Sequence, residues 1–335
     1  LDNRWLDLRT NANHAIFRIQ SAVCRFFREY LLSKGFTEIH SPKLIGAASE
    51  GGANVFKLKY FGNDAFLAQS PQLYKQMALC SDLFRVFEIG PVFRAEDSNT
   101  YRHLCEFTGM DLEMEFYEHY HEIVYTIGNL FLYIFNNLNK YCKPEIEAVR
   151  KQYPFKDLIY NDKVLILTFK EAMDMVIELD KKLEKEGKHK EREGLLLDVK
   201  DFSTKAEREL GKLVLQKYGT EFYVIDKYPI NARPFYTMID PYNPELSNSY
   251  DFFLRGEEIM SGAQRIHDYK LLTERANYHN IPIHTLQEYI NSFKYATSPH
   301  GGGGIGLERV VMLFLKLDNI RKSSMFPRDP TRCSP

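Results

Sequence analysis

The chain has 335 residues, of which 44% are hydrophobic and 14% aromatic, which is enough apolar material for a large core. Its 44 basic and 45 acidic residues nearly cancel, which argues against a protein that coats nucleic acid non-specifically. Five widely spaced cysteines predict neither a disulfide framework nor a structural zinc site, and no apolar run approaches the roughly 20 residues of a membrane span, so we expect a reducing, cytosolic setting.

Hydrophobic periodicity divides the chain into helices and strands. Apolar residues recur at helical spacing between Ala15 and Leu32, and Ser70-Pro71 suits the start of a short helix. The predicted elements, in chain order, are helices at Ala15–Leu32, Gln72–Cys80 and His119–Tyr141, strands at Glu221–Asp226 and Phe235–Ile239, two strands flanking Arg255-Gly256, a helical stretch at Leu271–Ser292, and a glycine run entering a helix within His300–Leu317. The interval Lys181–Arg208 is rich in Lys, Glu and Gly, and predicts a solvated surface insertion in a single domain.

Residues 84–116 alternate in a way that predicts a β-hairpin with one charged face. Two antiparallel strands would flank a loop near Asp97–Arg102, with successive side chains on opposite faces. One face would carry Phe87, Ile89, Phe93, Ala95, Leu104, Met110, Leu112 and Met114; the other would carry Glu88, Gly90, Arg94, Glu96, His103, Phe107, Asp111, Glu113 and Glu115. Because burying so many charges is costly unless the face opens to water, we expect the second face to be a polar active-site floor.

Arg94 on that face could bind phosphate or carboxylate through its planar fork, although a lone Arg on a strand is more often a surface residue. In the segment Tyr250–Ile266, a two-residue turn at Arg255-Gly256 would place Glu258 opposite Phe253 and on the same face as Asp251. Such a carboxylate pair could hold Mg²⁺ on nucleotide phosphates, or could be a solvated acidic rim. Strict alternation cannot bring Ser261 and Arg265 to the Glu258 face, so we expect a β-bulge near Ser261-Gly262.

The glycine run that begins at His300 lets backbone approach a ligand closely, and Arg309 follows one turn inside the next helix. It is neither a Walker A loop, since no Gly-Lys-Ser/Thr follows, nor a Rossmann fingerprint. Alone it could be a flexible loop. With Arg309 beside it, anion binding becomes the better interpretation.

These segments, in this order, resemble the three signature motifs of class II aminoacyl-tRNA synthetases, with Pro42 in the first. Within that class, six segments resemble the aspartyl enzymes of eukaryotes and archaea: SEGGANVF, QSPQLYKQM, FRAEDSNTYRHLCEF, RPFYTMIDP, SGAQRIHD and GGGIGLERVVM. The resemblance covers essentially residues 1–335. It departs at about 181–208, which we cannot match, and at Tyr101, where His is expected.

The resemblance implies an α+β catalytic domain with a central antiparallel β-sheet flanked by helices. It further implies a homodimer formed near Pro42 with help from the helix at Ala15–Leu32. Relatives carry an N-terminal OB-fold that reads the anticodon, and this chain, which starts at Leu1, is expected to be a fragment that lacks it.

The implied activity is activation of L-aspartate with ATP to aspartyl-adenylate, followed by transfer to the terminal ribose 3′-OH of tRNA(Asp). Arg94 would bind the α-phosphate, Arg309 the γ-phosphate, and Phe107 would stack on adenine, with Arg309 on the other side of the base. By the same resemblance, the remaining ATP-binding residues are Glu96, His103, Leu104, Glu258 and Gly306. Asp251 and Glu258 would hold Mg²⁺.

Aspartate would be selected by Lys75 and Arg265, a cationic pair that matches its side-chain carboxylate and rejects an amide. Gln72, Ser261 and Glu50 would hold the α-groups, with Glu50 on a mobile loop that closes over the substrate. Lys75 could instead be a solvated helix residue. Two alternatives remain: an asparaginyl-tRNA synthetase or a related asparagine synthetase, and a non-catalytic paralogue, which typically loses the ATP arginines or the metal acids.

Overall fold

A computed structural model describes residues 1–46, 54–196 and 201–334. The strands are β1 (Thr37–Glu38), β2 (Leu44–Ile45), β3 (Lys57–Tyr60), β4 (Asn63–Leu67), β5 (Arg85–Phe93), β6 (Glu106–Glu115), β7 (Leu165–Thr168), β8 (Phe222–Asp226), β9 (Ser249–Leu254), β10 (Glu257–Gln264) and β11 (His300–Gly306). The α-helices are α1 (Arg4–Asp7), α2 (Asn11–Ser33), α3 (Gln72–Ala78), α4 (His121–Tyr141), α5 (Lys143–Gln152), α6 (Phe169–Lys185), α7 (His189–Arg192), α8 (Thr204–Tyr218), α9 (Tyr269–Tyr278), α10 (Gln287–Asn291) and α11 (Leu307–Phe314).

Eight strands form one sheet in the order β1-β5-β6-β11-β10-β9-β8-β7. The six central strands pair antiparallel, and the edge strands β1 and β7 pair parallel to their neighbours. Strands β2, β4 and β3 form a separate small sheet. The predicted α+β fold with a central antiparallel sheet flanked by helices is therefore confirmed.

One face of the large sheet is closed by helices and the other is only partly covered. On the closed face, α2, α4 and α11 pack their apolar sides against alternate residues of β5, β6, β9 and β11, including Phe87, Leu112 and Phe252. On the other face, α6 and α8 pack at the β7–β8 end. A third apolar cluster, which includes Phe235 and residues of α9 and α10, lies beside α3. The middle of this second face stays open.

The predicted helices at Ala15–Leu32 and His119–Tyr141 and the strand at Glu221–Asp226 match α2, α4 and β8 closely. The prediction of a strand at Phe235–Ile239 is wrong. Thr237 bridges Arg265 and Ile239 bridges Ser247, so the backbone of this segment divides its hydrogen bonds between two partners and forms no continuous ladder. The glycine run is a central strand, β11, and not a loop.

The interval 181–208 exposes most of its charges, but it also buries apolar side chains at Leu183, Leu195, Phe202 and Ala206 against α6, α8 and β8. At its end, Arg102 donates to Glu207 at 3.0 Å. The interval is therefore anchored to the body and reaches the loop of the β5–β6 hairpin; its status as an insertion stays a prediction. None of the helices described here is long and apolar enough to span a membrane.

Candidate active site

A cleft of about 400 Å³ opens on the uncovered face of the large sheet. Its floor comes from β5, β6, β10 and β11, and its walls come from α3, the β5–β6 loop, the segment around Arg233 and the start of α11. Most of the residues predicted to bind ATP or the amino acid line this cleft: Gln72, Arg94, Glu96, His103, Leu104, Phe107, Glu258, Ser261, Arg265, Gly306 and Arg309. Glu50 falls outside the described residues.

The β5–β6 hairpin forms the floor with the two faces that alternation predicts. Phe87 lies opposite Leu112 in the register and both join the core, whereas Glu88 lies opposite Asp111 on the other face. Glu88 is held by Lys43 and by the Ser41 hydroxyl, 2.6 Å away. The charged face is therefore neutralised in part by neighbours outside the hairpin, as the cost of burying charge requires.

Lys75 projects from α3 onto this floor and is only 2% exposed, so it is not a solvated helix residue. Its Nζ lies 3.0 Å from Oδ1 of Asp111 and 3.2 Å from Oε2 of Glu113. The other oxygen of Glu113 accepts from Nε of Arg265 at 2.8 Å. Burial raises the pKa of Glu113, but Arg265 and Lys75 outweigh it and hold that pKa below its usual value. The predicted pair Lys75 and Arg265 is thus brought together by one ionised carboxylate.

Within this group, Asp111 and Arg265 line the cleft, whereas Lys75 and Glu113 lie immediately behind them. The guanidinium of Arg265 also lies over the ring of Tyr236, 5.4 Å from its centroid. The positive charges of Lys75 and Arg265 equal in number the negative charges of Asp111 and Glu113, so this group is neutral without a ligand. A ligand carboxylate at this end of the cleft would therefore meet Arg265 first, with the Lys75 charge next to it.

The other end of the cleft contains the aromatic and arginine residues that were predicted to bind ATP. The guanidinium of Arg94 lies 5.6 Å from the centroid of the Phe107 ring. His103 is hydrogen-bonded through Nδ1 to the hydroxyls of Thr100, at 2.5 Å, and Ser98, at 3.3 Å. Burial and the nearby Arg309 charge lower the pKa of His103, which favours the neutral ring.

Arg309 ties the start of α11 to two neighbouring segments. Its Nη1 donates to the backbone carbonyl of Glu258 at 3.1 Å, and its Nη2 donates to that of Arg102 at 3.2 Å. Arg102 in turn pairs with Glu207 of α8. The guanidinium of Arg309 therefore links the β5–β6 loop to β10 across the mouth of the cleft.

A β-bulge in β10 lies between Glu258 and Met260, two residues earlier than predicted. The register passes from Glu258 opposite Phe253 to Ser261 opposite Asp251. The extra residue reverses the alternation, so Glu258, Ser261 and Arg265 reach one face, as the predicted site requires.

Asp251 is held by Arg233, which sequence reasoning did not single out. Arg233 donates to both oxygens of Asp251, at 3.0 and 2.7 Å, and to the hydroxyl of Ser261 at 3.0 Å. Its guanidinium also lies 3.9 Å from the centroid of the Tyr228 ring. Burial and the charge of Asp251 raise the pKa of Glu258.

The fit of Mg²⁺ to Asp251 and Glu258 follows from these contacts. Glu258 is half-buried and its pKa is raised by desolvation and by the charge of Asp251, and a divalent cation would favour its ionised form. Mg²⁺ at nucleotides is held by one or two carboxylates together with phosphates and water, so two residues are enough. Within residues 1–46, 54–196 and 201–334, no group of three or more His, Cys, Asp and Glu forms a closed metal cage. The pair fits a shared site of this kind.

Besides Arg233, three residues in or directly behind the cleft were absent from the predicted site: Asp111, Glu113 and Glu308. Both oxygens of Glu308 accept from the backbone N–H of Thr108 at 3.1 Å, next to Phe107. Burial raises the pKa of Glu308 to about 7. Asp111 and Glu113 lay on the predicted charged face and could have been assigned from their alternation with Met110 and Leu112; no sequence signal identifies the partner of Glu308 or of Arg233.

The family model of class II tRNA synthetases (D, K and N) matches residues 1–330. The chain is 56% identical over 335 residues to the cytoplasmic aspartate–tRNA ligase of Mus musculus, covering all of this chain and 64% of that protein. It resembles the solved aspartyl-tRNA synthetase of Entamoeba histolytica, with TM-score 0.87 and 50% identity, covering 100% of this chain and 62% of that one. It also resembles the asparaginyl-tRNA synthetase of Pyrococcus horikoshii complexed with asparaginyl-adenylate, with TM-score 0.85 and 31% identity, covering 100% and 73%. The chain belongs to the class II tRNA synthetases, and it spans about two thirds or less of the length of these aspartyl relatives.

Proposed function

We propose that this class II synthetase chain activates L-aspartate with ATP, forming aspartyl-adenylate and pyrophosphate. The observation that carries the proposal is the buried group of Lys75, Arg265 and Glu113, which places two cations at the amino-acid end of the cleft. A side-chain carboxylate gains charge-assisted hydrogen bonds from such a pair, whereas an amide would turn donor hydrogens toward it. Asp111 on the cleft floor offers the opposite charge to the α-ammonium.

ATP would occupy the other end of the cleft. Its adenine would stack on Phe107, with Arg94 at the α-phosphate and Arg309 at the γ-phosphate. In the reaction, an oxygen of the aspartate α-carboxylate attacks the α-phosphorus, the bond to the β-phosphate oxygen breaks, and pyrophosphate leaves. No side chain acts as nucleophile, so the rate gain comes from orientation and from fixed positive charge around the phosphorus. The contacts of Arg309 to Glu258 and Arg102 support such a fixed position.

Asp251 and Glu258 would hold Mg²⁺, which would supply positive charge to the phosphates when it is bound. Asp251 can contribute fully only if Arg233 gives up one of the two hydrogen bonds that it donates to this carboxylate. Arg233 itself can then turn toward a phosphate. The chain's own part is therefore to present two carboxylates and one neighbouring guanidinium to the same nucleotide.

The proposal extends to the second step, transfer of aspartate to the 3′-OH of the terminal adenosine of tRNA(Asp), and to a cytoplasmic homodimer. The similarity to the cytoplasmic aspartate–tRNA ligase of Mus musculus supports both the tRNA substrate and the location. Pro42 is exposed in the segment between β1 and β2, which leaves it available to a partner subunit. The asparaginyl alternative is less favoured, because the asparaginyl structure is 31% identical to this chain whereas the aspartyl one is 50% identical.

The test is ATP–pyrophosphate exchange driven in parallel by aspartate, asparagine and lysine, with the variant Lys75→Leu alongside. Exchange with aspartate alone, lost in the variant, is the expected result, because the variant leaves Glu113 with one cation and removes a charge next to the substrate carboxylate. Exchange driven by asparagine would move the activity to the asparaginyl class. No exchange with any of the three, from folded protein, would favour a non-catalytic paralogue.

A further inference from the structure

A buried chain of hydrogen bonds runs from the backbone at Ser298 to Gln72 on the cleft wall. Nδ1 of His300 lies 2.8 Å from the carbonyl oxygen of Ser298, and Nε2 of His300 lies 3.1 Å from Nε2 of Gln76. Oε1 of Gln76 then accepts from the hydroxyl of Tyr289 and from Nε2 of Gln72, both at 2.9 Å. His300 and Gln76 are 0% exposed and Tyr289 is 3% exposed, so water cannot substitute for any link.

The donor–acceptor direction of these hydrogen bonds is fixed at the Ser298 end. A carbonyl oxygen only accepts, so Nδ1 of His300 must carry the hydrogen that it donates to Ser298. In a neutral imidazole the other nitrogen is then an acceptor, and the group of Gln76 that faces it must be the amide NH₂. The carbonyl of Gln76 is consequently turned toward Tyr289 and Gln72, and the group of Gln72 that meets it must again be the NH₂.

The surroundings of His300 keep it neutral. Its ring stacks against Phe293 with centroids 6.1 Å apart. Glu113 favours the charged ring, but burial opposes it more strongly, with help from Arg265 and His267, and lowers the pKa of His300 to about 4. At any pH near neutrality, the acceptor at Nε2 is therefore retained.

We propose that His300 is a positioning residue for amino-acid recognition: through Gln76 it holds the Gln72 amide so that Oε1 of Gln72 is the atom left to accept a hydrogen bond from the substrate α-ammonium. Gln72 lines the cleft, and among the described residues none donates to its Oε1. The proposal rests on the amino-acid activation described above and adds the residue that sets the polarity of one of its contacts.

The alternative state shows why the polarity matters. If His300 presented a hydrogen at Nε2, Gln76 would have to rotate its amide by half a turn and point its NH₂ at Gln72 and Tyr289. Gln72 would then turn its carbonyl inward and its NH₂ toward the cleft, where it would oppose an ammonium group. A residue that lines no part of the cleft would in this way reverse a contact inside it.

The experiment compares His300→Leu with His300→Gln, in which the longer amide can return an acceptor to the position of Nε2. The measurements are the KM values for aspartate and ATP in pyrophosphate exchange and the inhibition constant of succinate, which is aspartate without its ammonium group. In His300→Leu we expect the aspartate KM to rise about tenfold or more, the scale of one hydrogen bond to a charged group, while the values for succinate and ATP stay within about twofold. His300→Gln should recover most of the loss.

Equal weakening of aspartate and succinate would assign His300 to packing alone and overturn the proposal, as would an unchanged aspartate KM. If His300→Leu folds poorly, Gln76→Leu replaces it as the test. This variant breaks the same series of hydrogen bonds one residue nearer to Gln72, and it must give the same aspartate-specific loss. The unmodified protein gives a separate reading: ¹⁵N-histidine NMR at neutral pH should find His300 with its hydrogen on Nδ1, and the other tautomer or a charged ring would also overturn the proposal. An unmodified enzyme that gives no exchange with aspartate would instead count against the proposed function.

Discussion

The ammonium of Lys75 lies 3.2 Å from a carboxylate oxygen of Glu113, and these two side chains are 2% and 0% exposed. Ion pairs this deep are costly to form, because both charges leave water, and strongly destabilising to break, because one charge is then left buried without its partner. Glu113 also binds Arg265, because Nε of Arg265 donates to its other carboxylate oxygen. The residue that stabilises both cations is thus also the one that fixes the spacing between them.

Replacing this carboxylate by Glu113→Gln should lower the free energy of unfolding by about 3 to 5 kcal/mol, because Lys75 and Arg265 then face each other with less compensation. Urea denaturation at neutral pH measures the change. Glu147→Gln is the matched control, since Glu147 pairs with Arg150 on the surface and is 58% exposed; its effect should stay below about 1 kcal/mol. Similar losses for the two variants would contradict a central role for Glu113.

The fork of Arg309 should be required for ATP use, and a lysine should not replace it. Arg309→Lys supplies the charge on a single nitrogen, which does not reproduce the two separate N–H groups that bond the carbonyls of Glu258 and Arg102. We expect kcat/KM for ATP in pyrophosphate exchange to fall about 100-fold or more, the scale seen when one fixed donor to a developing charge is lost. Arg150→Lys, on the surface of α5, is the control and should retain the exchange rate. A drop of less than about fivefold in Arg309→Lys would show that charge alone is sufficient.

Glu308 should make the unmodified protein less stable as the pH rises. Burial raises the pKa of its carboxyl from 4.5 to about 7, so between these values the folded protein retains a proton that the unfolded chain has released. The free energy of unfolding therefore falls across that window, by up to roughly 3 kcal/mol from this group, and the contribution is constant above it.

In Glu308→Gln this part of the pH dependence should disappear, while one amide oxygen can still accept from the N–H of Thr108. The measurement is the difference in unfolding free energy between the two proteins at several pH values from 5 to 8, without nucleotide. A difference that stays constant over this range would mean that Glu308 titrates normally.

The centre of β11 should accept glycine alone at position 302. A Cβ there would lie 2.0 Å from the backbone oxygen of Leu112 and 2.6 Å from Oε2 of Glu113, so the neighbouring strand would have to move. Gly302→Ala should cost at least about 3 kcal/mol of unfolding free energy, a large effect that tight packing explains. At Gly306 the nearest atom would be Cβ of Arg309 at 3.7 Å, an ordinary contact. Gly306→Ala is thus the matched control, with a change within about 0.5 kcal/mol in thermal or urea unfolding.

The sequence by itself determined the elements and the faces of the site hairpin. Alternation in residues 84–116 predicted that Asp111 and Glu113 lie on one face of their strand and Met110 and Leu112 on the other, and β6 has this arrangement. The prediction holds because a strand has a fixed period of two and only one of its faces joins the apolar core. The two-residue turn at Arg255-Gly256 was predictable for a similar local reason, and both residues have positive φ there. Motif resemblance then predicted the family, which the family model confirms, and it also predicted most of the residues that line the cleft.

Tertiary structure decided the contacts that join distant segments. Glu308 meets Thr108 across 200 residues, His300 meets Gln76 across 224, and Arg233 takes the carboxylate predicted for a metal. The bulge at Glu258–Met260 likewise depends on how β10 pairs with β9, and the segment at Phe235–Ile239 is not a strand because its partners are divided. Periodicity describes how one segment meets a core. Which buried donor finds which acceptor is set when the sheet closes and water is excluded, since only then does an unpaired group become costly.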